Sequence, residues 1–337
     1  ETISTEAVQE AVLVALLENV IEQWDHADFT IVPYKDTKEN VLGGVDDIII
    51  DLDDSLVTIN TILGSRYVKY IRETVDEFHQ KLVLMQETLE EWLVCQRNWM
   101  YLESIFSAPD IQRQLPLESK LFAKIDSSFK ENMRRAGDDP NCIKCCTRNG
   151  LKETLQKHNS ALEKIQKSLE DYLETKRAAF ARFYFLSNDE LLEILAQTKE
   201  PQAVQPHLRK CFDALVELDF GDQPKSIDIK AMLSPEGERI ELGKNLKARG
   251  NVEDWLTAVE TNMKVSLQKL MKAGLIDYFE KQRVDWVRSH PGQIVATVAQ
   301  IAWVIGTEAV LNNQSVSEGD GFVEQYFGEA ISSLDAW

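Results

Sequence analysis

Apolar side chains spaced alternately four and three residues apart commit a chain to long helices, because that average matches the helical turn and lines one face. From Ile71 the series Val75, Phe78, Leu82, Met85, Leu89, Trp92, Gln96, Trp99, Glu103 and Phe106 keeps this spacing almost unbroken. It predicts one helix of about 40 residues, roughly 60 Å long and well beyond the usual globular helix. A second seam runs through Leu151, Leu155, His158, Leu162, Ile165, Leu169, Tyr172, Lys176 and Ala179. Pro109, Pro116, Gly137 and Pro140 interrupt the stretch between, so the chain turns there and the second rod is expected to return antiparallel. Two such faces can bury each other. The expected fold is mostly α, an elongated helical-bundle rod with long antiparallel helices and a small β-hairpin insertion.

The hairpin is read from Ile227, Ile229, Ala231 and Leu233, then a type I turn at Ser234-Pro235-Glu236-Gly237, then Ile240 and Leu242. Ser187 and Glu190 form a capping box that starts a helix just after the aromatic run Phe180, Phe183, Tyr184, Phe185. Leu208, Cys211, Phe212, Leu215 and Val216 predict an amphipathic helix after Pro206. Asn251 is expected to cap a helix bearing Trp255, Val259, Met263, Leu267 and Leu270. The apolar stretch from Gln293 to Asn312 predicts a buried helix. Ahead of the first seam lie a helix from about Thr5 to Trp24, a short strand Phe29 to Tyr34, a turn at Val41-Leu42-Gly43-Gly44 and a helix to about Leu63. The chain divides on this reading into residues 1–64, 65–186, 187–250 and 251–337.

With 56 acidic against 37 basic side chains the net charge is -19, a field that repels nucleic acid and anionic lipid headgroups. Neither nucleic acid nor a membrane is an expected partner. No apolar run reaches a bilayer span, and no secretory signal opens the chain, so an intracellular protein with five free thiols is expected. Glu1 in place of Met, and Trp337 straight after Ile331 and Leu334, read as ends cut from a longer polypeptide. Cys142, Cys145 and His158 have the spacing of three zinc ligands, but Ser160, Ala161 and Leu162 stand where a fourth belongs. Free thiols in a loop, with a packed histidine on the seam, are the stronger reading. Gly237 to Gly243-Lys244-Asn245 has five residues between its glycines and no hydroxyl, so it is no phosphate loop. Asp51, Asp53 and Ser55 imitate a calcium loop, yet Leu56 and Ile62 replace its Gly and Glu. Asn313-Gln314-Ser315 is a glycosylation acceptor that an intracellular chain would not use. No catalytic, cofactor or metal residue is nominated.

Longer strings carry a resemblance. They are Arg97-Asn98-Trp99-Met100-Tyr101-Leu102-Glu103-Ser104-Ile105-Phe106, the stretch from Leu162-Glu163-Lys164-Ile165 to Tyr172-Leu173, and Arg182-Phe183-Tyr184-Phe185-Leu186-Ser187 running into Asp189-Glu190-Leu191-Leu192. Further on come Gly250-Asn251-Val252-Glu253-Asp254-Trp255-Leu256 and Pro291-Gly292-Gln293-Ile294-Val295 leading to Gln300-Ile301-Ala302-Trp303. In order and spacing these resemble the linker of dynein heavy chains, the segment just before the ring of AAA+ modules. Pro201 to Leu208 is similar to the axonemal branch.

The resemblance implies a helical arm across the ring that bends and straightens as the ring hydrolyses ATP, a lever for movement along microtubules. It implies that ATP and magnesium belong to the ring, with neither catalysis nor cofactor in this segment. The implied partners are the AAA+ ring of the same heavy chain, microtubules through the parent motor, and dynein intermediate and light chains. The implied setting is the cytoplasm and cytoskeleton, in the axoneme of a cilium or flagellum. The signature positions, as candidate hinge or ring contacts, are Trp99, Ala181, Arg182, Phe183, Phe185, Trp255, Pro291, Gln293 and Trp303.

Two departures stand out. Phe180-Ala181-Arg182-Phe183 lacks the proline usual in the family, which leaves the second rod free to run on, and His290 replaces a usual Trp before Pro291, which puts an anchoring contact in doubt. A static spectrin-like scaffold is the competing reading. The hairpin and the aromatic run speak against it, since simple three-helix repeats need neither.

Overall fold

The computed structural model describes residues 2–313 except 36, 197–199, 222, 224–225 and 244–245. Lys244 and Asn245, Gln314 and Ser315 of the acceptor sequence, and Ile331, Leu334 and Trp337 lie outside the described residues. The fold is mostly α, and the chain divides into two compact units at Thr175/Lys176.

The first unit opens with α1 (Thr2–Asp25), β1 (Thr30–Pro33), β2 (Asn40–Gly43) and α2 (Val45–Leu63). The two strands pair antiparallel, with Thr30 opposite Gly43 and Ile31 opposite Leu42. Val41-Leu42-Gly43 is therefore a strand where a turn was expected. The reversal comes earlier, where the Tyr34 amide donates to the Glu39 carbonyl at 2.8 Å. Val41 and Leu42 are buried and hold the strand against α3 (Arg72–Phe106). The polar Gln96 on the first seam is explained by the same contact. Its side chain accepts from the Leu42 amide and donates to the Leu42 carbonyl, both at 2.9 Å, satisfying a strand edge that would otherwise be buried unpaired.

Helix α3 has 35 residues and buries Val75, Phe78, Leu82, Met85, Leu89, Trp92, Gln96, Trp99 and Phe106, the seam read from the sequence. Two shorter helices follow, α4 (Pro109–Gln114) and α5 (Pro116–Asp138). Phe106 stacks on Phe122 with centroids 5.3 Å apart, and Trp99 on Phe129 at 4.5 Å. As α3 is followed backwards its partners on α5 advance, so α5 is the antiparallel neighbour. The cysteines lie on α6 (Cys142–Cys146), a short helix where a loop was expected, because the Asn141 side chain accepts from the Lys144 amide and caps it.

The second rod, α7 (Leu151–Ala179), takes the opposite sense from that expected. Lys152 meets Glu87, while Gln156 and Asn159 meet Glu91, so the two helices advance together and run parallel there. With α5 already making the return, the next long helix comes back in the direction of α3. The buried stripe of α7 also drifts from the seam, through Leu155, Asn159, Leu162, Ile165, Leu169 and Leu173. His158 and Tyr172 are half-buried and Ala179 is exposed. The drift follows from the mismatch between a seven-residue repeat and the helical period. The rod stops at Ala179 without a proline, because Phe180 turns to extended backbone at φ -135°, ψ 96° and buries its ring.

In the second unit a 3-10 turn, Ala181–Phe185, leads to α8 (Asn188–Ala196). The capping box forms: the Ser187 amide donates to Glu190 Oε2 at 3.0 Å, and the Glu190 amide to Ser187 Oγ at 3.3 Å. The Lys210 ammonium first, then Ser187, draws the Glu190 carboxyl down to about 2. After a second 3-10 segment, Pro201–His207, α9 spans only Leu208–Cys211. The predicted helix through Val216 is not formed. Leu208, Cys211, Phe212 and Leu215 are buried, yet Phe212 is extended at φ -136°, ψ 135°, because the chain is entering a sheet.

That sheet has the order β3 (Glu217–Asp219), β4 (Ala231–Leu233), β5 (Arg239–Glu241), all antiparallel, with Met232 opposite both Leu218 and Ile240. The hairpin thus gains a third strand. At its tip the Gly237 amide donates to the Ser234 carbonyl at 3.1 Å, and the Ser234 amide to the Glu238 carbonyl at 2.9 Å. Gly237 sits at φ 85°, as a type I turn followed by a bulge requires.

Three helices complete the unit: α10 (Val252–Glu280), α11 (Arg283–Ser289) and α12 (Gly292–Asn313). Asn251 stands at the N-cap position, but its amide donates to Asp254 Oδ2 at 3.0 Å and caps no backbone group. Trp286, fully buried, donates to the Gly274 carbonyl at 2.8 Å and packs with Ile294, Val295 and Val298. Helix α12 is buried on that stripe only. Trp303, Val304 and Ile305 are exposed, against the expectation of a helix buried all round, because among the described residues α10 covers one face alone.

Candidate functional site

At the thiols burial outweighs the nearby cations Arg148 and Arg182. All five are free and buried, and desolvation pushes Cys95 and Cys142 up to about 12 and Cys211 to about 11, with Cys145 and Cys146 also raised. Burial likewise lowers His158. Among the described residues no three His, Cys, Asp or Glu side chains are grouped to hold a metal, and no helix is long and apolar enough to cross a membrane.

The signature positions fall in several places. Trp99 lies in the first unit, fully buried, donating from Nε1 to Asp126 Oδ1 at 2.9 Å. Phe183 and Trp255 are buried in the second unit, Phe183 with its ring edge-on to Phe180 at 5.0 Å. Ala181 and Phe185 are exposed on the 3-10 turn, and Trp303 is 47% exposed on α12. Only Arg182, Pro291 and Gln293 come together, around a cleft of about 660 Å³.

The cleft lies between the hairpin, the segment after α9, the middle of α10 and the start of α12. Its apolar walls include Phe212, Leu215, Met232, Ile240, Met263 and Leu267. Strand alternation aims Ile240 and Glu238 at it and turns Arg239 towards Asp219 and Glu241. Arg182 is held in place: its guanidinium lies 4.5 Å over the Phe212 ring, donates to the Cys211 carbonyl at 2.9 Å and reaches Glu260 at 3.4 Å. Lys264 first, with Arg182 behind it, lowers the Glu260 carboxyl. Glu238 Oε1 accepts from the Gly292 amide at 2.7 Å, tying the hairpin tip to the start of α12. Asp213 and Glu236 complete an acidic rim.

Towards its two ends a contact each fixes α10. Lys176 pairs with Glu253, both nearly buried, and His290 meets Asp277 through Nε2 at 2.9 Å. The histidine in place of the usual Trp thus still anchors its turn. Sequence reading missed Phe212, Met232, Glu238 and Met263 as neighbours of Arg182 and Pro291. The alternation around Ile240 was visible, but nothing in one sequence places a hairpin tip over a helix start more than fifty residues on.

Long helices seamed with aromatics in one unit, and helices around a small antiparallel sheet in the other, define a mostly α protein. Residues 1–274 match the family model described as dynein heavy chain, N-terminal region 2. The chain belongs to the dynein heavy chain family. It is similar to dynein axonemal heavy chain 6 of Homo sapiens, 53% identical over 321 residues, which cover 90% of this chain and 8% of that protein. It is 41% identical over 338 residues to dynein axonemal heavy chain 12 of Mus musculus, covering 99% of this chain and 11% of that protein. Dynein axonemal heavy chain 1 of Rattus norvegicus is 41% identical over 301 residues, 89% of this chain and 7% of the relative. The chain therefore spans about a tenth of the length of these relatives or less.

Proposed function

We propose that this chain is the linker of an axonemal dynein heavy chain, a mechanical lever that carries ATP-driven change in the AAA+ ring into movement along microtubules in a cilium or flagellum. The match of residues 1–274 to the N-terminal heavy-chain region carries the reading. The build of the helices supports it. A lever must bend less than the step it transmits, and helix α3, packed against both α2 and α5 with stacked aromatics between α3 and α5, resists bending better than a lone helix. The chain supplies no chemistry of its own on this reading, and ATP and magnesium are held by the ring. Intermediate and light chains join through other parts of the parent.

Stiffness is the property to test. Glu170 and Asp171 are both exposed on α7, so an insert between them disturbs no buried contact directly. In the full-length heavy chain, a flexible Gly-Ser insert of about seven residues stores little directed strain, while a helical insert of equal length keeps the rod and its face. The flexible insert is expected to leave microtubule-stimulated ATPase largely intact and to slow gliding severely, and the helical insert to slow it much less. Normal gliding with the flexible insert overturns the lever and returns the choice to a passive scaffold.

A further inference from the structure

We propose that the cleft beneath the hairpin is a docking site for a short peptide segment of a partner protein, one that inserts an apolar side chain and flanks it with Lys or Arg. The volume of about 660 Å³ suits a short run of side chains, and its floor of Phe212, Leu215, Met232, Ile240, Met263 and Leu267 takes an apolar anchor. Charge decides the kind of partner. Among the described residues three carboxylates stand on the rim, Asp213, Glu236 and Glu238, against one cation, Arg182. That cation already donates to the Cys211 carbonyl and Glu260 and lies over the Phe212 ring, so the three carboxylates outweigh it at the mouth.

The acids are held with capacity to spare. Glu238 gives Oε1 to the Gly292 amide, and Glu236 gives Oε2 to Ser234 Oγ at 2.9 Å, which leaves one oxygen of each for a donor from outside. Asp213 is exposed and forms no hydrogen bond or ion pair with another described residue. The hydrogen bond from Gly292 to Glu238 fixes the tip of the hairpin at the mouth, so the acids are positioned before a ligand arrives. A negative rim around an apolar floor steers cationic segments and rejects acidic ones.

Met232 and Met263 sit in the floor and report on binding directly, whereas Met85 and Met133 are buried in the other unit. The full chain, labelled at its methionine methyls, is titrated with the capped pentapeptide Lys-Phe-Lys-Leu-Lys and, as control, Glu-Phe-Glu-Leu-Glu. The basic peptide is expected to shift the Met232 and Met263 resonances saturably, leaving Met85 and Met133 in place, and the acidic peptide to shift none. The isosteric triple variant Asp213→Asn, Glu236→Gln, Glu238→Gln keeps an acceptor for Gly292, and its affinity for the basic peptide is expected to fall about tenfold. No shift at Met232 and Met263 with millimolar basic peptide, equal binding of the acidic peptide, or unchanged affinity in a triple variant with unaltered methyl spectrum overturns the proposal.

Discussion

Trp99 shows how a single position carries both packing and polarity. Its ring is fully buried between Phe129 and Tyr34, and its Nε1–H is satisfied by Asp126. Truncation to Ala removes the stacking surface and leaves a cavity, while Asp126 keeps its partner Lys130, so Trp99→Ala is expected to cost about 3–5 kcal/mol in urea unfolding. A loss below about 1 kcal/mol would mean that the indole serves a contact outside the fold. The buried thiols give a pH dependence with a definite sign. Their folded pKa values lie above the ordinary 9.0, with Cys95 and Cys142 at about 12, so the folded state favours the neutral thiol. Their contribution to stability is complete below pH 9 and is lost as pH rises from there through about 12. Alkylation of the folded chain at pH 8 is expected to leave Cys95 and Cys142 unmodified, with both reacting once urea unfolds it; rapid labelling of either in the folded chain contradicts their burial.

At the scale of elements, what could be read depended on whether the signal was local. The capping box of Ser187 and Glu190 and the turn at Ser234 to Gly237 each rest on residues a few positions apart, and both form as expected. Gly237 is tested through that turn. A Cβ there meets nothing within 4 Å, so the only cost of Gly237→Ala is the left-handed backbone at φ 85°, about 1 kcal/mol. Amide exchange at Ser234 is expected to quicken about fivefold, and Gly237→Asn to quicken it less; unchanged exchange in the alanine variant would remove the bulge from the account. Elements set by distant partners were harder to read. The stripe from Leu208 to Leu215 is buried as an amphipathic helix would bury it, yet the helix ends at Cys211 and the chain runs on into β3, which pairs with β4. The parallel sense of α7 depends on α5 occupying the antiparallel place beside α3, which no spacing in the second seam reports. The apolar length of α12 predicted burial all round, but only the α10 side is covered.

For the whole molecule, the mostly α class and the family were legible because long strings such as Arg97 to Phe106 are specific and the helical seam runs through them. The cleft was not, since its walls come from four separate stretches between Arg182 and Gln293. As the proposed lever, this chain is expected to change shape with the nucleotide state of its parent motor, which a static scaffold does not. Leu117 and Ile276 are exposed, one in each unit, and fluorophores can be placed there in the full-length heavy chain through unnatural amino acids. Energy transfer between them, followed through the ATPase cycle, is expected to switch between two efficiencies in step with nucleotide binding and product release. A single efficiency that stays constant throughout the cycle, in a motor that still hydrolyses ATP, would contradict the lever.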